Sequence, residues 1–288
     1  MKKSLTKTGL FGWSLLSIAL VVSCEKIEET QDFESDVVIS ATELKISDEA
    51  ELISDEISSI AEDIYAADEM RLISKSVYLS DHLPECAMVT TVITDTTKEK
   101  TIDFGEGCEL RNGNLLSGII NLSYLKDVQA ETKTLSLTLE NFTYNGVEVK
   151  GSATIERSRV NENGNPQSNV VSEFDGVWPD ETTVSFSTNR TREWIEGYGS
   201  GFWGDNVFLI TGSATYTNKL GSVFQKEIMV PLRREWSCRF IVSGVLSITR
   251  NNATATVDFG NGPCDSTGVL TTPDGESKEI QLRRFFNK

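Results

Sequence analysis

The rhythm of hydrophobic and polar positions changes near residue 86. Between Ser47 and residue 75, apolar side chains recur at helical spacing: Ile53, Ile57, Ile60, Ile64 and Ala67, with Leu52, Ala61 and Leu72 widening the stripe. This predicts one amphipathic helix over 47–75, with Ser47 as N-cap and Asp48 and Glu49 in the first turn. Asp55, Glu56, Glu62, Asp63 and Glu69 fall on the other side, which is expected to face water.

From Cys86 onward the period is two. Val147, Val149, Gly151, Ala153 and Ile155 alternate with Glu148, Lys150, Ser152, Thr154 and Glu156, the pattern of a half-buried antiparallel strand. Similar runs occur at 114–125, 135–144, 182–188, 206–217, 223–230, 239–249 and 253–260. Turn signals divide them at Asn112-Gly113, Asn145-Gly146, Asn163-Gly164, Lys219-Leu220-Gly221, Asn251-Asn252 and Asp274-Gly275. The expected fold is mainly β: a large antiparallel meander over 86–288, curved into a half-barrel or sandwich, with the N-terminal amphipathic helix packed on it. A membrane-spanning barrel is the weaker candidate, because Glu148, Lys150, Glu156, Lys226 and Glu227 fall on outward faces.

Four glycines interrupt apolar faces at Gly118, Gly151, Gly212 and Gly244, at intervals that suggest a recurring two-strand unit. Glycine weakens a strand unless the backbone bends there or another element comes close. The expectation is a curved sheet with a shallow groove lined by these glycines, Ala153 and Ala214, filled by the helix or by an apolar ligand.

The N-terminus carries an address. Lys2, Lys3 and Lys7 precede an apolar run from Gly9 to Val22, which reads as a secretory signal over 1–23. Val21-Val22-Ser23-Cys24 resembles the lipobox of bacterial lipoproteins. That resemblance implies cleavage before Cys24, a diacylglycerol on its thiol, and acylation of the new amine by a chain such as palmitate. Several acyl chains give stable anchoring where one is marginal. Glu25-Lys26-Ile27-Glu28-Glu29 resembles the charged tract behind the lipid-bearing cysteine of surface-exposed lipoproteins in Bacteroidota. Position 25 is not the Asp that would suggest inner-membrane retention in enteric bacteria. The outer membrane is therefore expected, on its periplasmic or its surface side, with 24–46 as an acidic tether.

With Cys24 assigned to lipid, Cys86, Cys108, Cys238 and Cys264 remain, and a secretory route favours disulfides. Cys86 leads to Ile102-Asp103-Phe104-Gly105-Glu106-Gly107-Cys108, and Cys238 leads to Val257-Asp258-Phe259-Gly260-Asn261-Gly262-Pro263-Cys264. The repeated phrase predicts Cys86–Cys108 and Cys238–Cys264. No C-x-x-C occurs and His82 is the only histidine, so a zinc site is not expected. The tether, helix and paired cysteine modules together resemble outer-membrane lipoproteins of Bacteroidota, a resemblance that implies no particular activity.

Net charge narrows the function classes. The chain has 43 acidic and 27 basic residues, a formal charge of −16, which argues against nucleic acid as a partner. Residues 25–84 hold 17 acids and four bases, whereas 85–288 hold 26 and 20, so the acidity belongs mainly to tether and helix. The Asp-Phe-Gly repeats lack every other kinase motif. No EF-hand, G-x-S-x-G or H-E-x-x-H occurs, and neither a cofactor nor a metal is expected. One loop stands apart: Trp178, Trp194, Tyr198, Phe202 and Trp203 cluster in sequence among glycines, as aromatics that stack on sugars or apolar ligands do. The leading expectation is a lipid-anchored outer-membrane protein with a non-catalytic binding or scaffolding role, its partners being the membrane and an envelope protein or glycan. The alternatives are a carrier or sensor of an apolar ligand in the concave sheet, or a glycan-binding surface lipoprotein.

Overall fold

The computed structural model describes residues 39–74, 82–126 and 131–282, without the side chains of Ala41, residues 71–74 and Trp203. The expected signal segment, Cys24 and most of the expected tether lie outside the described residues. Among the described residues one α-helix, α1 (Ala41–Ser74), precedes fourteen strands. These are β1 (Met88–Ile93), β2 (Thr97–Asp103), β3 (Cys108–Glu109), β4 (Leu115–Leu125), β5 (Thr132–Tyr144), β6 (Val147–Ser158) and β7 (Gln167–Val177). They continue as β8 (Thr183–Glu196), β9 (Val207–Asn218), β10 (Val223–Glu235), β11 (Ile241–Arg250), β12 (Ala253–Asn261), β13 (Thr267–Thr271) and β14 (Ser277–Gln281). All belong to one antiparallel sheet in which strands pair in chain order. The short β3 pairs only with β4, and the sheet stays open, with β1 and β14 as its edges.

The six predicted turns all fall between strands. At Asn145-Gly146 both residues have positive φ, 49° and 83°, as a two-residue hairpin requires. β7 escaped the reading of periodicity. Its inward row is Ser168, Val170, Ser172, Phe174 and Gly176, too polar to register as a core face.

The helix differs from expectation at its start and in its surroundings. It begins at Ala41, six residues early, because Ser40 and Glu43 form a capping box. The Glu43 amide donates to Ser40 Oγ at 3.2 Å, and the Ser40 amide donates to Glu43 Oε2 at 3.0 Å. Ser47, the expected cap, is interior, and its hydroxyl donates to the Leu44 carbonyl. The acidic side is not in water: Glu56, Glu62, Asp63 and Glu69 are all buried, and Asp55 is nearly so. Residues of β2, β4, β6, β7, β8, β9, β10 and β11 all reach the same helix, so the sheet wraps around it. Ile53, Ile57 and Ile60 have no exposed surface and join Phe104, Leu137, Ile155, Phe186 and Tyr216 in one core.

The four glycines curve the sheet. A Cβ on Gly151, at φ 132°, would lie 2.1 Å from the Glu173 carbonyl oxygen of β7, and one on Gly212 would lie 2.1 Å from that of Asn189 in β8. Their close neighbour is the adjacent strand and not the helix, which corrects the expected lining of the groove. Register shifts in β4–β5 and β11–β12 fall at Gly118 and Gly244. The two cysteine modules form as predicted, Cys86–Cys108 and Cys238–Cys264, with Cα separations of 5.6 and 5.7 Å. In each, the Asp side chain accepts the amide of the glycine two residues on, at 2.8 Å in both, and the intervening Phe is buried.

Candidate functional site: the charged seat of the helix

The concave face of the sheet is where a ligand of a half-barrel would sit, and α1 occupies it. Residues 41–74 carry ten acidic and two basic residues, so a purely apolar seat would leave many charges stranded. The sheet answers with inward bases, among them Lys98 and Lys100 of β2, Lys133 of β5, Arg157 of β6, Arg190 and Arg192 of β8, Lys226 and Arg234 of β10, and Arg250 of β11. Several of them rest on aromatic rings. The Arg192 guanidinium lies 4.6 Å from the Phe208 centroid, Arg234 4.9 Å from Trp236, and the Lys226 ammonium 5.0 Å from Tyr216.

Along α1, charge matches charge. Arg250 donates to both carboxylate oxygens of Glu43, at 3.2 and 2.8 Å. Glu51 accepts from Arg190 and, at 2.5 Å, from the Tyr216 hydroxyl. Arg192 divides its donors between Asp55, Ser59 and Glu62, while Arg234 reaches Asp55 from the other side. Glu69 pairs with Arg157 and accepts from the Tyr198 hydroxyl at 2.7 Å. Asp68 takes Lys98 at 2.8 Å and the hydroxyl of Tyr124. His82, at the far end of the connection from α1, packs at a tilt against Trp236 and meets Glu56 at 3.3 Å, with Asn112 and Asn114 completing that carboxylate's shell.

Protonation follows the partners. Burial pushes Glu51, Glu56 and Asp68 up, but Arg190 beside Glu51, His82 beside Glu56 and Lys98 beside Asp68 outweigh it, leaving all three below the usual range. Glu62 goes the other way: burial dominates the attraction of Arg157 and pushes its carboxyl up to about 7. One Glu62 oxygen and one terminal nitrogen of Arg190 have no hydrogen-bond partner. A cavity of about 40 Å³ lies between α1 and the sheet, where Asp55, Arg190 and Arg192 meet the apolar Leu52, Val170 and Ile210.

Of the aromatic candidates, the four whose side chains are described do not form an exposed platform. Trp178 and Trp194 are 7% and 2% exposed. Trp178 donates its indole N–H to Glu49 at 2.8 Å, and Trp194 packs on Phe208 and Tyr198 beneath Arg157. Tyr198 is half-buried against Glu69, and Phe202 projects, at 61% exposure. Trp203 belongs to a 3-10 turn, Trp203–Asp205, and its side chain lies outside the described residues. The inward bases were the residues that periodicity missed, although Arg157 continues the Val147–Ile155 face and Arg190 and Arg192 share the buried face of β8 with Phe186 and Trp194.

Among the described residues, no group of three or more His, Cys, Asp or Glu side chains is placed to hold a metal ion, and no helix is long and apolar enough to cross a membrane. No protein-family model, curated protein or solved structure matches the chain.

Proposed function

We propose that the chain is a lipid-anchored protein of the outer membrane with a non-catalytic binding or scaffolding role. The observation that carries this reading is the seating of α1. The face on which a half-barrel carrier would hold an apolar ligand is committed to the chain's own helix, and the ionisable groups there neutralise one another. The lipobox resemblance at Val21–Cys24 supplies the membrane address.

The test is metabolic labelling of the full chain with a palmitate analogue in a lipoprotein-processing bacterium. The expected result is label on the chain in the outer-membrane fraction, and none on Cys24→Ser, which moves to the soluble envelope fraction. An unlabelled chain rejects the anchor. Native mass spectrometry of the Cys24→Ser chain is expected to show the bare polypeptide mass; a copurifying lipid would replace this reading with the carrier.

A further inference from the structure

The two edges of the open sheet are guarded differently. β14 is five residues long and presents Lys278 and Glu279, the kind of charge that discourages strand addition. β1 has no charge in its six residues, and every one is exposed: Met88 61%, Val89 40%, Val92 59% and Ile93 59%, around Thr90 and Thr91. An uncharged apolar edge of this length is a template for another strand.

The β1–β2 hairpin fixes which backbone groups are open. The Thr94 amide donates to the Thr97 carbonyl at 3.0 Å, making that pair a hydrogen-bonded one. Such pairs alternate along an antiparallel ladder, so Val92–Glu99, Thr90–Thr101 and Met88–Asp103 also exchange bonds. Val89, Thr91 and Ile93 therefore direct both N–H and C=O away from β2, toward the open edge.

We propose that this edge is a homodimerisation surface, on which β1 of a second copy adds antiparallel about a twofold axis through Thr91. A twofold perpendicular to the sheet pairs residues of equal parity. The register centred on Thr91 joins Thr91 to Thr91, Val89 to Ile93 and Ile93 to Val89 of the second copy. It is the register that matches every outward donor and acceptor of β1. On the inner face it sets Val against Ile on either side of the central threonines, and on the outer face it sets Thr90 against Val92. No charged side chain in β1 opposes another. Pairing β1 with β14 of a second copy would instead bring Lys278 and Glu279 onto an uncharged edge, so charge matching selects self-pairing.

The experiment uses the mature chain with Cys24→Ser, so that no lipid drives association. Sedimentation is expected to show a reversible, concentration-dependent monomer–dimer equilibrium. Thr91→Pro removes an amide that points outward and so costs β1 no bond to β2. It is expected to weaken dimerisation about tenfold or more while leaving the melting temperature unchanged at dilutions where the parent chain is itself monomeric. Thr91→Cys is expected to yield a disulfide-linked dimer without reductant, because paired Cα atoms in a hydrogen-bonded site sit about 5.5 Å apart, whereas Thr90→Cys is not. A chain that stays monomeric at every concentration overturns the proposal. So does dimerisation that Thr91→Pro leaves intact, or cross-linking as ready at position 90 as at 91.

Discussion

Arg157 and Glu69 lie 88 residues apart in the chain and meet as an ion pair, Nη2 to Oε2 at 3.3 Å, with side chains only 1% and 2% exposed. Removing one partner of such a pair strands the other charge in the interior. Glu69→Ala is expected to cost about 3–5 kcal/mol, and replacing both residues by Met should recover much of that loss. Chemical denaturation of the two variants checks it. Equal destabilisation by the single and double changes would contradict the pairing argument.

Glu62 should make stability fall as pH rises. Its folded carboxyl is raised to about 7 from an ordinary value of 4.5. Between those values the unfolded chain has released the proton that the folded chain still holds. The contribution is present below 4.5 and lost by about pH 7. Glu51, Glu56 and Asp68 are depressed and act oppositely, their contribution vanishing as pH falls through the carboxylate range. Glu62→Gln is therefore expected to flatten the decline between pH 4.5 and 7 in urea titrations while leaving the acid-side loss in place.

Gly151→Ala and Gly164→Ala separate a bend from a turn. Both glycines have positive φ, but only at Gly151 would the new Cβ strike backbone, the Glu173 carbonyl at 2.1 Å; at Gly164 nothing lies within 4 Å. The turn substitution is expected to cost about 1 kcal/mol, and the bend about 3 kcal/mol or more. Thermal melting of the two variants would show whether the curvature depends on the glycine.

The disulfides close loops with sequence separations of 22 and 26 residues. Each is expected to stabilise the chain by about 3–4 kcal/mol in the chain-entropy treatment. Cys86→Ser should expose a single alkylatable thiol, on Cys108. Protection of Cys108 in that variant would mean a different connectivity.

What the sequence disclosed depended on distance along the chain. The cysteine modules were legible because the same phrase, Asp-Phe-Gly, precedes Cys108 and Cys264 and makes the same turn. The hairpin turns were legible because Asn-Gly and Asn-Asn act within two residues. The burial of Glu62 and Asp55 was not, because their partner Arg192 lies 130 and 137 residues away and periodicity scores an arginine as outward. Ser40 was overlooked as the cap because the apolar stripe strengthens only at Ile53. The aromatic cluster misled for a related reason: Trp194 and Tyr198 lie in a glycine-rich and charged stretch of sequence but pack against Arg157, Phe208 and α1 in space.

The meander also sets an order of assembly. Each strand pairs with its neighbour in sequence, so hairpins can form as the polypeptide emerges, yet α1 emerges before any of them. Its acids keep it soluble while it waits. Lys98 and Lys100 arrive first, then Arg157, then Arg190 and Arg192, then Arg234. Arg250 reaches Glu43 only after 207 further residues. A chain stalled before β10 holds a helix whose Asp55 and Glu43 still lack Arg234 and Arg250, and whose interior remains hydrated. Its own electrostatics thus distinguish a finished molecule from an interrupted one, and proteases should cleave the latter at α1.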